Sequence, residues 1–520
     1  MSYSAVYVGT APVLYLDSAQ TTWTRPAWPP LADLTSLNNR FTAVYGVDSS
    51  DSNFVALLVA TSAGTYTVDW GDGTIDSSIA SNVQANHTYN YASIAASVVG
   101  EFKPVVVTVT TSGGNITTFD LQRKNPLNTP VDASAINWLD IAINASEMTS
   151  LIISASTLIV RLGSLEKVKI YNNSITSMSN MFRECVVLKS VSILSSSLLN
   201  DTSNMFRECR ALQSVPLFNT ASVTNMNFMF NSCNSLQSVP LFNTAAVTNM
   251  SLMFSSCSSL QSVPLFNTAA VTNMQSMFNN SPFFQSVPLF NTAAVTNMSF
   301  MFSNCSSLQS VPLFNTASVI NMESMFNSCL AFKSIPLFNT AAVTNMNGMF
   351  QFCFCLQNVP LFNTAAVTNM GDMFRSCIAL KSVPLFNTGA VTNMNGMFSG
   401  CTSLKNVPLF VTSIVTNMGN MFGNCFSLSI IPSFNTAAIS SSSNISNIFS
   451  SCPSLCQGRT NGLRFAISYI NCKLSTAALN DIFTGLGTAS GSQTITVTGN
   501  PGAATCNTSI VTAKGWTVAV

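Results

Sequence analysis

The sequence predicts a mainly β protein, most of it a solenoid of stacked short coils. Three observations lead there. Prolines recur at Pro216, Pro240, Pro264, Pro288, Pro312, Pro336, Pro360, Pro384, Pro408 and Pro432, always 24 residues apart. Cysteines keep the same step from Cys185 to Cys425, with Ser281 standing in once. The unit, "LQSVPLFNTAAVTNMSLMFSSCSS" from Leu236, holds apolar residues at fixed positions and separates them with Ser, Thr and Asn. A period in the twenties marks a solenoid: each coil is too thin to bury its own apolar side, and its neighbours complete the core.

The elements follow in chain order. Residues 1–38 include "TTWTRPAWPPL", with Trp23, Trp28 and three prolines. A proline-rich extended segment with aromatics is a poor independent fold and a good docking arm. Trp23 and Trp28 are therefore candidate attachment residues; an ordered lead-in strand lying on the next domain is the alternative. Residues 39–128 contain "RFTAVYGV", "NFVALLVA", "GTYTVDWGDGT", "NHTYNY", "GEFKPVVVTVTT" and "NITTFDLQ". These are short alternating strands joined by a tight Gly-Asp-Gly turn, the pattern of an immunoglobulin-like β-sandwich. His87 is the only histidine and is expected to be structural. Asp69 and Asp72 are expected to cap backbone N–H groups of the turn, with a cation in the turn as the alternative.

Residues 135–455 form the solenoid, about 12–13 rungs and, at about 4.8 Å per rung, roughly 60 Å long. The L-x-x-V-x-L start of each rung is leucine-rich-repeat-like. Leu236, Val239 and Leu241 are expected to point inward, with Val247, Met250, Met253 and Phe254 filling the coil. Asn243 and Asn249 recur as ladders that satisfy backbone groups of their own rung and the next. Pro240 has no N–H for a neighbouring rung, which limits strands to three to five residues. Strict alternation places Phe242 outside, whereas a proline-induced turn tucks it in. Burial is expected, because ten aligned exposed phenylalanines make too large a patch. Equivalent cysteines have parallel Cβ vectors about 4.8 Å apart, poor geometry for a disulfide, so the ladder is read as core. Residues 456–520 form an α/β C-terminal cap: a helix over Leu474–Gly487, a strand in "SQTITVTGN", a short helix in "TCNTSIVTAKG" and a last strand in "WTVAV". Cys452, Cys456, Cys472 and Cys506 are left open as a possible bridge.

Two resemblances rest on these residues. "VTNMSLMFSSCSSLQSVPLFNT" is similar to the leucine-rich repeats of BspA-like surface proteins, over roughly residues 140–455. That likeness implies recognition or structural work. W-G-D-G-T with H-T-Y, over roughly residues 40–125, resembles the polycystic-kidney-disease (PKD) type of immunoglobulin-like domain. The chain's ending, "TGNPGAATCNTSIVTAKGWTVAV", resembles the ends of bacteriophage virion structural proteins bearing such repeats.

Composition narrows the function. Charged residues are 8% and the net charge is +1, so no field attracts nucleic acid. No run of about 18 apolar residues suits membrane insertion. The start, "MSYSAVYVGTAPVLYLDSAQ", lacks the pattern of a secretory signal, and export on an assembled particle is the expectation drawn from it. From Gln213 to Phe449 only Glu323, Lys333, Asp372, Arg375, Lys381 and Lys405 are charged, which leaves little for acid–base catalysis. No enzyme, cofactor or metal site is expected. The pair before each Met-Phe varies while the core letters barely change, so Phe228, Leu252, Gln275, Phe300, Glu323 and Asp372 are the candidate contact surface. The expected role is a virion surface protein of a tailed bacteriophage: a tail fibre, a baseplate-associated protein or a capsid decoration. It would attach to other virion proteins through its N-terminal region and meet host-surface glycan or protein, with a homo-oligomer compatible. The alternative is a bacterial cell-surface adhesin of the BspA-like type.

Overall fold

In the computed structural model the described residues are 3–7, 12–16, 28–49, 53–99, 101–122, 137–153, 164–194 and 197–520. Two short strands, β1 (Tyr3–Tyr7) and β2 (Pro12–Leu16), pair antiparallel. The sandwich follows with β3 (Arg40–Val47), β4 (Phe54–Thr61), β5 (Thr65–Asp69), β6 (Ile75–Ala80), β7 (Gln84–Thr88), β8 (Lys103–Ser112) and β9 (Ile116–Asp120). Its core packs around Phe41, Phe119, Tyr45 and Trp70, all at most 1% exposed. Phe41 stacks on Phe119 with ring centroids 4.3 Å apart.

The sandwich does not end where the solenoid begins. β10 (Trp138–Asn144), β11 (Ser150–Ile152), β12 (Lys167–Ile170) and β13 (Ser190–Ile193) continue both sheets. One sheet has the order β13-β12-β10-β3-β8-β5-β6, and the other β11-β9-β4-β7. β10 pairs antiparallel with β3 on one side and parallel with β12 on the other. It is therefore the seam at which a hairpin-built sheet turns into a stack of parallel rungs. A single hydrophobic cluster runs from Phe41 to Trp516.

Asp140 lies on this seam, half-buried, in register with Lys167. Burial pushes its carboxyl up to about 6, against the pull of Lys167. The folded chain thus holds a proton between about pH 4 and 6 that the unfolded chain releases, so this group's contribution falls as pH rises through that window. Asp140→Asn is expected to raise stability at pH 7 by up to about 1 kcal/mol after solvent screening, and to have no such effect at pH 3.5. Urea midpoints at the two pH values check this.

Within the solenoid the columns are those the repeat predicts. Val247, Met250, Met253, Phe254, Cys257 and Leu260 are 0% exposed. The Phe254 column stacks face on face: Phe254–Phe278 is 5.8 Å and 6° apart in plane, and Phe278–Phe302 is 5.7 Å and 6°. The backbone holds the rungs in register. Phe254 N–H donates to Met277 O at 2.9 Å and Leu252 N–H to Gln275 O at 2.9 Å, one rung on. Each buried threonine adds a bond: Thr244 Oγ1 donates to Asn267 O at 2.8 Å, and Thr268 Oγ1 to Asn291 O at 2.7 Å.

Two expectations change here. The asparagines mostly serve their own rung: Asn243 Oδ1 accepts from Ala245 N and Asn249 Oδ1 from Ser251 N. The link between rungs falls to backbone and threonine, because a side-chain amide at a coil corner closes the nearest turn first. The strands of the proline rungs also shrink below three residues, to isolated bridges such as Ser262↔Ser286 and Asn249↔Asn273. Among the described solenoid rungs, four-residue strands persist in β12 and β13, whose sequences lack the proline.

All fifteen cysteines are free, Cys452, Cys456, Cys472 and Cys506 among them. From Cys209 to Cys425 each ladder thiol donates to a phenylalanine carbonyl of the preceding rung, as Cys257 Sγ does to Phe230 O at 3.1 Å. Ser281 makes the same contact with Phe254 O at 2.9 Å, which explains why it substitutes without breaking the stack. Burial pushes the Cys257 and Cys305 thiols up to about 12. In the native protein a thiol reagent is expected to modify exposed Cys355 and Cys456 quickly and the ladder from Cys185 to Cys425 only on unfolding. Peptide mapping of the labelled sites checks this.

The C-terminal end closes the stack. β14 (Phe434–Asn435) pairs with β15 (Thr460–Asn461), and β16 (Ile467–Ser468), β17 (Gln493–Thr496) and β18 (Trp516–Ala519) form a parallel three-stranded sheet. Helix α1 (Thr476–Gly485) starts at Ser475, whose side chain caps Ala478 N. A shorter helix, α2 (Ser509–Thr512), precedes β18. Lys514 Nζ donates to the carbonyls of Phe483, Thr484 and Leu486 at 3.1, 2.8 and 2.7 Å. A cation thus sits on the carbonyl-rich end of α1, where it is favoured.

Candidate interaction face

One sequence expectation is inverted on the strand side of the solenoid. Leu241 was expected inward; it is 60% exposed, while Phe242 is 2% exposed, as expected of it. The cause is local. Phe242 N–H donates to Pro240 O at 2.9 Å, and Phe266 to Pro264, Phe290 to Pro288 and Phe338 to Pro336 at 2.9–3.0 Å. A bond from residue i+2 back to i closes a γ-turn whose central side chain is thrown outward. The rungs without a proline, β12 and β13, provide the internal control. In β13, Ile193 occupies the Leu217 position and is 4% exposed, while Leu194 is 59% exposed, as plain alternation demands.

The result is a ladder. Leu217, Leu241, Leu265, Leu289, Leu313, Leu337, Leu361, Leu385 and Leu409 are each 59–63% exposed. Exposed asparagines such as Asn243 and Asn267 flank it on one side. On the other runs an exposed column of Gln213, Gln237, Gln261, Gln285 and Gln309, then Lys333, Gln357, Lys381 and Lys405. Beyond Leu409 the next rung has Ser433, whose Oγ meets Asn461 Nδ2 at 2.6 Å. There the Arg459–Asp481 ion pair, 2.9 Å, closes the face. One rung before Leu217, Lys189 is tied to Glu166 at 3.6 Å. The ladder is thus an uncharged apolar stripe bounded at both ends by ion pairs.

The sequence-derived contact residues lie on another face and are less open. Phe228, Leu252, Gln275, Phe300, Glu323 and Asp372 are all half-buried. Phe228, Leu252, Phe300 and Asp372 hold left-handed backbone, φ 51° to 57°, where glycine and asparagine sit most easily. The aligned Gly348, Gly396 and Asn420 take the same conformation, so part of the variation in this column answers to backbone geometry. Several side chains have intramolecular partners. The Arg207 guanidinium lies 5.2 Å from the Phe228 ring centre, Asn345 Nδ2 donates to Glu323 at 3.2 Å, and Asp372 meets Arg375 at 3.4 Å.

At the N-terminal end, Trp28 is 6% exposed and packs with Phe102, Val44 and Leu139. Its ring packs within the chain; Trp23 lies outside the described residues. The turn acids are engaged locally. Asp69 Oδ1 accepts from Gly71 N at 3.0 Å, and Asp72 Oδ1 accepts from Thr74 N at 3.0 Å and its hydroxyl at 2.6 Å. His87 Nε2 meets Asp72 Oδ2 at 2.8 Å and its ring stacks on Trp70 at 5.3 Å. Burial raises the Asp72 carboxyl, but the Thr74 and His87 hydrogen bonds outweigh it and hold the group below its usual range. Among the described residues no group of three or more His, Cys, Asp or Glu is placed to hold a metal ion, and no helix is long and apolar enough to cross a membrane.

Comparison with known proteins bears on the solenoid. A family model described as "Mycoplasma protein of unknown function, DUF285" matches residues 176–288, 256–359, 282–385 and 353–461, together more than half of the chain. No curated protein matches. Among solved structures the chain is similar to a leucine-rich repeat protein from Eubacterium ventriosum, at 14% identity and a TM-score of 0.28, covering 66% of this chain and 87% of that one. It is also similar to a leucine-rich repeat protein of Leptospira interrogans, at 12% identity and a TM-score of 0.19, covering 57% of this chain and 86% of that one. A third is the TLR13–ssRNA13 complex, at 13% identity and a TM-score of 0.23, covering 72% of this chain. This chain spans 57% of that chain's length.

Proposed function

We propose that this chain, which belongs to the family described as "Mycoplasma protein of unknown function, DUF285", works without catalysis, as a rigid scaffold presenting long uncharged faces on a surface. The observation that carries this is the stack itself. One core continues from the sandwich through every rung to the cap, and the repeated faces carry few titratable groups. Such an array holds side chains at fixed intervals over a long distance, which suits contact more than turnover.

The finer reading is a surface protein of a tailed bacteriophage virion: a tail fibre, a baseplate-associated protein or a capsid decoration. Its N-terminal sandwich is of the PKD type. The resemblance of the C-terminal segment to virion proteins supports that reading. The half-buried variable column, with Phe228, Leu252 and Phe300, is its candidate for host-surface glycan or protein. The second reading, a BspA-like bacterial adhesin, draws on the repeat sequence. Electron microscopy of particles and cells from the source culture, with antibody against residues 140–455, tests both. Label on virions is expected; label confined to the cell envelope would replace the first reading with the second.

A further inference from the structure

Among the described residues the leucine ladder is the longest run of open apolar side chains, and the variable column does not account for it. Nine leucines at about three-fifths exposure present on the order of 900 Å² per copy, close to what one partner contributes to a standard stable interface. A contiguous stripe of that size exceeds what monomers ordinarily leave bare. Its other property is its spacing. One leucine projects per rung, at about 4.8 Å, over the whole run. An occupant must offer apolar groups at that interval over that length.

We propose that the ladder is the face on which two copies of this chain pair, related by a two-fold axis through Leu313. A second copy is the partner whose side chains repeat at the same interval by construction, so contacts made at one rung recur at all nine. In the antiparallel arrangement Leu217 lies opposite Leu409 of the second copy, Leu241 opposite Leu385 and Leu289 opposite Leu337. The cationic side chains of the face, Lys333, Lys381 and Lys405, then meet rungs whose aligned residues are Gln285, Gln237 and Gln213. No like charges oppose, which such a self-complementary contact requires. The ion pairs Glu166–Lys189 and Arg459–Asp481 fall at the two ends of the stripe, where a polar rim belongs. This inference stands on the face alone, and holds whether the scaffold sits on a particle or on a cell.

The test is the mass of the full chain in solution by sedimentation equilibrium. Wild type is expected to be a dimer at micromolar concentration. The triple variant Leu265→Asp, Leu313→Asp, Leu361→Asp is expected to be a monomer, with dissociation at least about 100-fold easier. These side chains contribute little to the core, so circular dichroism and the thermal midpoint should stay near wild type; Leu313→Asp alone gives a milder version of the same shift. For orientation, Leu217→Cys mixed with Leu409→Cys should form a disulfide-linked dimer, and Leu217→Cys alone should not. A wild-type monomer at tens of micromolar would overturn the proposal. So would a dimer that the folded triple variant leaves intact, or wild-type monomer that binds phosphatidylcholine vesicles through the ladder.

Discussion

Phe302→Ala is expected to destabilise the protein by about 4 kcal/mol. Phe302 is 0% exposed and lies between Phe278 and Phe326, each 5.7 Å away, with Phe314 at 6.4 Å from the second aromatic column. Truncation removes three ring contacts at once. The cavity cannot close by sliding the rungs together, because Phe278 N–H to Met301 O and Phe302 N–H to Met325 O, both 2.9 Å, fix their separation. In a stack where each rung touches only its neighbours, a broken central interface weakens both halves. Urea unfolding measures the loss. Leu313→Ala, next in sequence to buried Phe314 but on the open ladder, is the comparison. Measured on the dissociated protein, it should change stability by no more than about 0.5 kcal/mol. Equal losses at the two sites would contradict the inside–outside assignment.

Trp138→Ala is expected to cost about 3–5 kcal/mol and to act on two regions together. Trp138 is 0% exposed, with its ring edge-on to Phe41 at 5.9 Å and to Tyr45 at 5.2 Å. It opens β10, the strand shared by the antiparallel sandwich and the parallel stack. If that strand fuses the two into one cooperative body, the variant lowers the urea midpoint of the sandwich and of the first rungs alike. Hydrogen exchange read separately over β3 and β13 reports this. Protection lost over β3 with β13 unchanged would mean that the seam carries no coupling.

How much was legible in the sequence can be argued from particular residues. The burial of Phe254, Cys257, Met250 and Met253 was legible because an identical residue at every period must meet itself in the next rung, and only apolar or self-satisfied groups tolerate that. The unpaired cysteines followed from the same parallel geometry. The helix of the cap was legible from the apolar spacing of Leu479, Ile482 and Leu486. Leu241 was not, because alternation in a strand assumes extended backbone on both sides, and the γ-turn after Pro240 breaks that assumption. The signal was present, however: the rung with Ser192 in place of proline keeps Ile193 inside and Leu194 outside. The variable column was legible as a face, but its half-burial was not, since the left-handed backbone that folds it against the coil carries no fixed residue type.

The sequence by itself determined the period, the order of sandwich, solenoid and cap, and the residue columns that form most of the core. Periodicity can do this because stacking is a neighbour rule, and a rule that holds for one pair of rungs holds for all. The tertiary structure alone decided two things. It put Leu241 and its eight equivalents on the outside, because the turn at the proline, closed in six of the nine rungs by one backbone hydrogen bond, reverses which side chain faces the core. It also merged the sandwich with the solenoid, because the pairing of β10 with β3 joins residues about a hundred positions apart, beyond the reach of any local pattern.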